Sequence, residues 1–186
     1  MRGPILNRRA LFDIGVAGPL AGFAVALVAL AVGLSLSSVA IRPSTYELQL
    51  GKPLLDQFMS WAILGPLPPG AEVVRHPVAF AAWFGLFVTS LNLIPIGQLD
   101  GGHVAYALWG NRQRTMAFAV IPLLIMLGFV GWPGWFIWAF MAGVWGLGHP
   151  PVVDPQAPLG RGRVLVGWFA LVVFVLTFAP VPFSFH

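Results

Sequence analysis

The chain has 186 residues, of which 58% are hydrophobic and only 9% charged, and its mean hydropathy is +0.85. This composition is typical of a membrane protein and excludes an ordinary soluble domain. The ten basic residues form no stripe and have no interleaved aromatic platform, so we expect no nucleic-acid partner. The absence of cysteine excludes disulfides and thiolate metal ligands.

Apolar segments that suit membrane-spanning helices, each needing roughly 20 residues, follow one another along the chain. The clearest is residues 14–39. Within it, Gly18 and Gly22 form a small-x-x-x-small pair that either lets another helix approach closely or serves only local packing. A second segment, residues 78–93, continues after an interruption into residues 100–109. The remaining segments are residues 115–130, 133–147 and 164–179.

The sequence therefore predicts an all-α fold, a polytopic membrane helical bundle of about five transmembrane segments. One of these segments is broken at Pro95 and Gly97, because proline and glycine interrupt helical hydrogen bonding. We expect residues 1–186 to form a single membrane domain, with the lipid bilayer as its partner.

The only sizeable segment between the predicted spans is an extracytoplasmic loop at residues 40–77. It contains a possible short strand at residues 46–50. Residues 54–64, which include Phe58 and Trp61, form an amphipathic stretch. This stretch is consistent with a helix lying along the outer membrane interface and equally with a plain surface loop.

The basic residues predict the orientation of the chain. With five spans and a cytoplasmic N-terminus, seven of the ten basic residues fall on the cytoplasmic side, as the positive-inside rule requires. These seven residues are Arg2, Arg8, Arg9, Arg112, Arg114, Arg161 and Arg163. The N-terminus of this integral membrane protein is therefore predicted to be cytoplasmic.

The most informative stretch is the broken sequence NLIPIGQLDGG at residues 92–102. Its carboxylate, Asp100, lies just past Pro95 and Gly97 in an otherwise apolar region. An ionisable group at membrane depth is costly unless it is paired or bound to a metal, so Asp100 is a candidate functional residue. The structural alternative is that Asp100 caps the helix that begins after the break.

The residues after Asp100 allow more than one interpretation. Gly101 and Gly102 have no side chain, so a metal ion or another helix can approach closely. His103 is three residues from Asp100 and lies on the same helical face. It is a candidate partner of the carboxylate or an alternative ligand, and a local hydrogen bond explains it equally simply.

The pattern Asn-x-x-Pro-x-x-x-x-Asp-Gly at residues 92–101 resembles a motif of the site-2 protease family, the intramembrane zinc metalloproteases. A second stretch, FDIGVAGPLAG at residues 12–22, is similar to the Ala-Gly-Pro helix start of that family. A third, weaker match joins GHPP at residues 148–151 to PLG at residues 158–160. It looks like the C-terminal end of the bacterial and plastid branch of the family. We expect the protein to reside in a bacterial cell membrane.

The resemblance implies roles for two residues of the broken segment. Asp100 matches the aspartate that completes a tetrahedral zinc site beside two histidines and a water in the family. Asn92 matches the asparagine that contacts the substrate backbone or the developing oxyanion, and an interhelical hydrogen bond is its structural alternative. Pro95, Gly97, Gly101 and Gly102 would shape the cavity in which a substrate bond meets the metal.

One departure from the family limits these expectations. The zinc site of the family needs His-Glu-x-x-His on a helix, with the glutamate as general base. The histidines here are His76, His103, His149 and His186, and none is followed by glutamate. The chain looks like the back portion of such a protease, and zinc is expected only in the complete protein.

The resemblance therefore implies zinc-dependent hydrolysis of a peptide bond in a membrane-spanning protein substrate. This chain would supply the Asp-Gly half of the active site and would be inactive alone. One alternative is a non-catalytic pseudoprotease that acts as a membrane binding or scaffold protein. Another is a transporter fragment, which predicts a second, symmetry-related broken helix, and the sequence contains none.

Overall fold

The computed structural model describes residues 7–41, 48–145, 152–154 and 156–185, and in these ranges the chain forms seven helices and four short strands. The helices are α1 (Arg8–Ser35), α2 (Leu54–Leu64), α3 (Pro77–Asn92), α4 (Asp100–Trp109), α5 (Arg112–Val130), α6 (Gly134–Trp145) and α7 (Arg161–Thr177). The strands are β1 (Ser38–Ile41), β2 (Leu48–Leu50), β3 (Ala71–Val74) and β4 (Phe183–Phe185). The predicted helical class is confirmed.

Every predicted apolar segment contains a helix, and the helix bounds differ from the prediction by a few residues. The break lies where it was predicted, between the end of α3 and the start of α4. Residues 54–64 form α2, so the plain-loop interpretation of this stretch is wrong. By length and composition, two helices in the described part are able to cross a membrane, α1 and α5.

The all-α prediction is incomplete, because the described residues also form two small antiparallel sheets. Strand β1 pairs with β3, with Ser38 opposite Val74. Strand β2, in the region predicted as a possible strand, pairs with β4, with Leu50 opposite Phe183. These pairings gather the ends of α1 and α7 and the start of α3 at one end of the bundle, which we call the strand face.

The opposite end of the bundle carries basic side chains, and we call it the arginine face. The Arg8 guanidinium donates to the carbonyl oxygens of Ala107 and, at 2.9 Å, Leu108, in the last turn of α4. A cation at that position is favourable because the C-terminal carbonyls of a helix carry partial negative charge. Arg163 of α7 forms a two-fold ion pair with Asp13 of α1 at 2.8 Å.

Helix α1 packs closely on α3 through small residues. A Cβ placed on Gly22 lies 3.4 Å from Thr89 Oγ1, and one placed on Gly85 lies 3.1 Å from the Cβ of Ala26. A Cβ on Gly33 would overlap the backbone of Ala79. Of the two interpretations of the Gly18 and Gly22 pair, the structure shows the close approach of another helix at Gly22, rather than local packing alone. Small residues allow the two helix backbones to come together and gain dispersion contacts.

A cysteine pair tests this packing, because the chain has no native cysteine. We expect Ala26→Cys/Gly85→Cys to form an intrachain disulfide on mild oxidation in membranes. Cβ atoms in disulfides lie about 3.8 Å apart, and these two are 3.1 Å apart, so α1 and α3 need to separate by only about 0.7 Å. Ala26→Cys/Gly143→Cys is the control, since nothing lies within 4 Å of a Cβ on Gly143. Protection from a thiol-reactive polyethylene glycol reports the bond, and equal reactivity of the two pairs would contradict the packing.

Candidate functional site

The break between α3 and α4 is a compact turn whose backbone amides and carbonyls partly hydrogen-bond to one another. The amide of Ile96 donates to Ile94 O at 2.8 Å, and that of Leu99 donates to Ile96 O at 3.0 Å. Gly97 adopts φ +48°, a left-handed conformation that glycine reaches without steric cost. Pro95 has no amide hydrogen, and its carbonyl accepts from the Gln113 side chain at 3.4 Å. These local bonds allow a non-helical segment to exist inside an apolar bundle.

Asp100 is the first residue of α4 and does not cap it. The cap position is Leu99, whose backbone is extended and whose side chain makes no capping hydrogen bond. The interpretation of Asp100 as an N-cap is therefore wrong by one position. A carboxylate in the first helical turn is still favoured by the positive end of the helix dipole.

Gly101 and Gly102 are explained by the turn that precedes them. A Cβ on Gly101 would overlap the carbonyl of Leu93, and one on Gly102 would overlap the carbonyl of Gly97. The first turn of α4 therefore rests directly on the backbone of the break. What approaches these glycines within the described residues is the chain itself.

Helix α1 holds the start of α4 on its other side. A Cβ on Gly18 lies 3.5 Å from Asp100 Oδ2, and one on Gly15 lies 3.0 Å from the Asp100 carbonyl oxygen and 2.7 Å from His103 Cβ. The structure thus joins two of the matching motifs, because residues 12–22 form the surface on which residues 100–103 lie. At a rise of 1.5 Å per residue, Gly18 is about 15 Å along α1 from Arg8, well inside the bundle.

The Asp100 carboxylate is half-buried, and within the described residues it forms no hydrogen bond and no ion pair. His103 lies beside it against α1, as predicted from the spacing. The described part of the chain contains no group of three or more His, Cys, Asp or Glu residues arranged to hold a metal ion. Within the described residues, Asp100 is thus a lone carboxylate at this position, without two further metal-ligating side chains grouped around it.

Among the other histidines, the structure describes His76, which lies at the start of α3, at the opposite end of that helix from the break. His76 is the N-cap of α3, where its Nδ1 accepts from the amide of Val78 at 3.3 Å. This structural role was missed by sequence reasoning, although a histidine directly before Pro77 was the available signal. His149 and His186 lie outside the described residues.

Asn92 is the last residue of α3 and is partly exposed. Among the described residues, its amide makes no hydrogen bond to another group. The buried Gln113 at the start of α5, which contacts the break through Pro95, was missed. In the sequence, Gln113 lies between Arg112 and Arg114, a pattern typical of a solvent-exposed helix start. Its contact with the break is therefore visible only in the tertiary structure.

The third matching segment lies partly outside the described residues, which exclude residues 146–151. Its remaining portion packs at the start of α1. Leu159 is buried against Phe12 and Val16, and the carbonyl of Pro158 accepts from Arg9 Nε at 2.6 Å. Residues 158–160 therefore fix the start of α7 against α1 and do not reach the break.

The family of the chain follows from comparison with known proteins. The model of Peptidase family M50 matches residues 4–130, which include α1, the break and α4. The chain belongs to this family, the site-2 protease family of metallopeptidases. No solved structure matches the chain.

Several curated relatives come from plants. The chain is 28% identical over 192 residues to "Probable zinc metalloprotease EGY2, chloroplastic" of Oryza sativa subsp. indica, an alignment covering 97% of this chain and 34% of the relative. It is 36% identical over 199 residues to "Probable zinc metalloprotease EGY3, chloroplastic" of the same subspecies, covering 94% and 33%. The chain thus spans about a third of the length of these relatives. As chloroplast proteins, they give no support to the predicted bacterial cell membrane.

The packing of the break on α4 is tested by adding one methyl group. We expect Gly102→Ala to lower the stability of the protein by about 1–3 kcal/mol, the usual cost of overpacking, because the new Cβ meets the Gly97 carbonyl. Thermal unfolding in detergent measures the change. Gly162→Ala is the matched control, since nothing lies within 4 Å of its Cβ. A midpoint for Gly102→Ala equal to that of the control would show that the turn is not packed as described.

Proposed function

We propose that this chain supplies the Asp-Gly half of the active site of an intramembrane zinc metalloendopeptidase. The observation that carries the proposal is the placement of Asp100. This carboxylate stands at a broken helix, well inside an apolar bundle and against Gly18, without a countercharge among the described residues. A carboxylate in such a place is costly unless a cation joins it. The family and the names of the plant relatives support zinc as that cation.

Asp100 fits one position of a catalytic zinc site, which commonly has three protein ligands and an exchangeable water. The two other ligands and the general base would come from a His-Glu-x-x-His helix that these 186 residues do not contain. When bound, zinc polarises the scissile carbonyl and acidifies its water. The chain's own contribution is to hold the Asp100 carboxylate at a fixed depth between α1 and the break.

Asn92 would bind the substrate at the other side of the break. Its amide is partly exposed at the end of α3 and is not used by the described parts of the fold. A side-chain amide aimed at a developing oxyanion stabilises the transition state more than the substrate. The substrate class we propose is a membrane-spanning protein helix that unwinds locally near residues 92–100.

The arrangement of the helix ends supports a topology of five crossings. Helices α3 and α4 would cross together as one broken span, and α2 would not cross. The arginine face would then lie in the cytoplasm together with the N-terminus, and the strand face would lie outside. Basic residues favour the cytoplasmic side of membrane proteins.

The role of Asp100 is tested in the complete protein by Asp100→Ala. We expect the variant to insert normally, to lose zinc, and to lose peptidase activity on a membrane-spanning substrate. Metal analysis of the purified protein and cleavage in reconstituted vesicles are the two measurements. Asp154→Ala, which removes an exposed carboxylate outside the helices, is the control and should keep both properties. Full zinc content with full cleavage in Asp100→Ala would refute the assignment.

The role of Asn92 is tested separately from metal binding. We expect Asn92→Ala to keep its zinc and its thermal stability while kcat falls by about 100- to 1,000-fold, as for the loss of an oxyanion donor. Asn111→Ala is the matched control, because Asn111 is exposed and makes no capping hydrogen bond before α5. If Asn92→Ala instead lowers the unfolding temperature without changing kcat, Asn92 is a structural residue.

The alternative function is a pseudoprotease that keeps the fold as a membrane scaffold. It is favoured by one observation, that the described residues contain no group of three or more His, Cys, Asp or Glu side chains arranged to hold a metal ion. The reading frame upstream of Met1 separates the two proposals. A hydrophobic helix with His-Glu-x-x-His encoded there supports the peptidase, and a complete gene without that helix supports the scaffold.

A further inference from the structure

Helix α2 lies at the strand face, packed on the ends of α1 and α7. Its inner side contributes Leu55 and Met59 to a core that includes Leu34 and Leu176. The only charged residue of α2, Asp56, also points inward and is only 1% exposed. Helix α2 thus buries its charged residue, Asp56, and its outward side is formed by other residues.

Among the described residues, Arg75 is the partner that neutralises the buried charge. Both carboxylate oxygens of Asp56 accept from the Arg75 guanidinium, at 2.8 and 2.7 Å. This two-fold geometry fixes the rotation of α2 about its own axis. It also ties α2 to the segment between β3 and α3, so the outward side of the helix is determined by the fold.

The outward side of α2 is an apolar stripe formed by Leu54, Phe58 and Trp61. These residues follow helical spacing and are 54%, 60% and 63% exposed. The rings of Phe58 and Trp61 lie 6.2 Å apart, centroid to centroid. Gln57 lies at the edge of the stripe, where its amide donates to the Lys52 carbonyl at 2.7 Å. The exposed side therefore carries no charged residue.

This distribution is the reverse of that of a helix on the surface of a soluble domain, where charges face outward. The last turns of α1 and α7, on which α2 packs, also expose aliphatic residues, including Val32 and Val175. The stripe therefore continues the apolar surface of the bundle at its strand-face end. Tryptophan and phenylalanine at such a level are typical of the boundary between lipid headgroups and acyl chains.

We infer that α2 is an interfacial helix whose Leu54, Phe58 and Trp61 side chains insert into the lipid leaflet at the strand face. The occupant of this surface is lipid, and the helix lies parallel to the membrane plane. The inference does not depend on peptidase activity and applies to a scaffold as well.

Spin labels test the insertion of α2. The complete protein, with any cysteine outside these 186 residues replaced, would carry single substitutions Phe58→Cys or Trp61→Cys and be reconstituted in phosphatidylcholine–phosphatidylglycerol vesicles. We expect both labels to collide more often with oxygen, which concentrates in lipid, than with a water-soluble nickel chelate. Glu72→Cys on β3 is the aqueous reference and should show the opposite ratio. Gln57→Cys should fall between the two.

Two results would overturn the inference. A label at position 58 that matches the Glu72→Cys ratio would place the stripe in water. A label shielded from both reagents would show that protein, from upstream segments or a second molecule, covers the stripe. Leu54→Cys, which leaves the Phe58–Trp61 ring contact intact, provides a third position if either aromatic substitution prevents insertion.

Discussion

The contact between the glycines of α1 and the first turn of α4 is the constraint on which the candidate site depends. Gly15 and Gly18 let the backbone of Asp100 and the side chain of His103 lie directly on α1. A larger residue at position 15 would force α4 away, because its Cβ would already be 2.7 Å from His103 Cβ. The glycines thus set the depth of the carboxylate, and the Ala-Gly-Pro segment has a physical connection to the Asp-Gly segment. Neither segment forms the site without the other.

The broken helix is also stabilised by close backbone contacts, both within the turn and between α1 and α4. The turn between α3 and α4 satisfies some of its own backbone amides and carbonyls. Because Gly101 and Gly102 have no side chain, the carbonyl groups of the turn can lie directly against α4. At the far end of α4, Arg8 donates to two carbonyl oxygens that the helix leaves unsatisfied. A helix of ten residues is therefore held at both ends by α1. This restraint keeps the Asp100 side chain at a defined height, as a metal ligand requires.

The two ends of the bundle are held together by different kinds of contact. The arginine face consists of side chains that bind carbonyls or Asp13, and it fixes the starts of α1 and α7. At the strand face, the segments that connect the helices are paired in two short sheets. Trp135 adds a further link there, because its indole donates to the Pro180 carbonyl at 2.7 Å. The proposed lipid contact of α2 lies at this second end, tied to the start of α3 through Asp56 and Arg75. The break and Asn92 lie further along that same helix.

The helices, the position of the break and the family are predictable from the order of residues, because apolar runs, proline and glycine act locally and the motifs are contiguous. The motifs also single out Asp100 and Asn92. The folded chain adds what the motifs do not contain. Leu99 takes the cap position, Gly101 and Gly102 accommodate the turn, and Gln113 and Arg8 hold the break and α4. The contacts of Gln113 and Arg8 join residues 18 and 100 positions apart, and no local pattern encodes them. Gly101 and Gly102 meet carbonyl groups of nearby residues, Leu93 and Gly97, and these contacts exist only once the turn has folded back on α4. The β1–β3 and β2–β4 pairings were missed for the same reason.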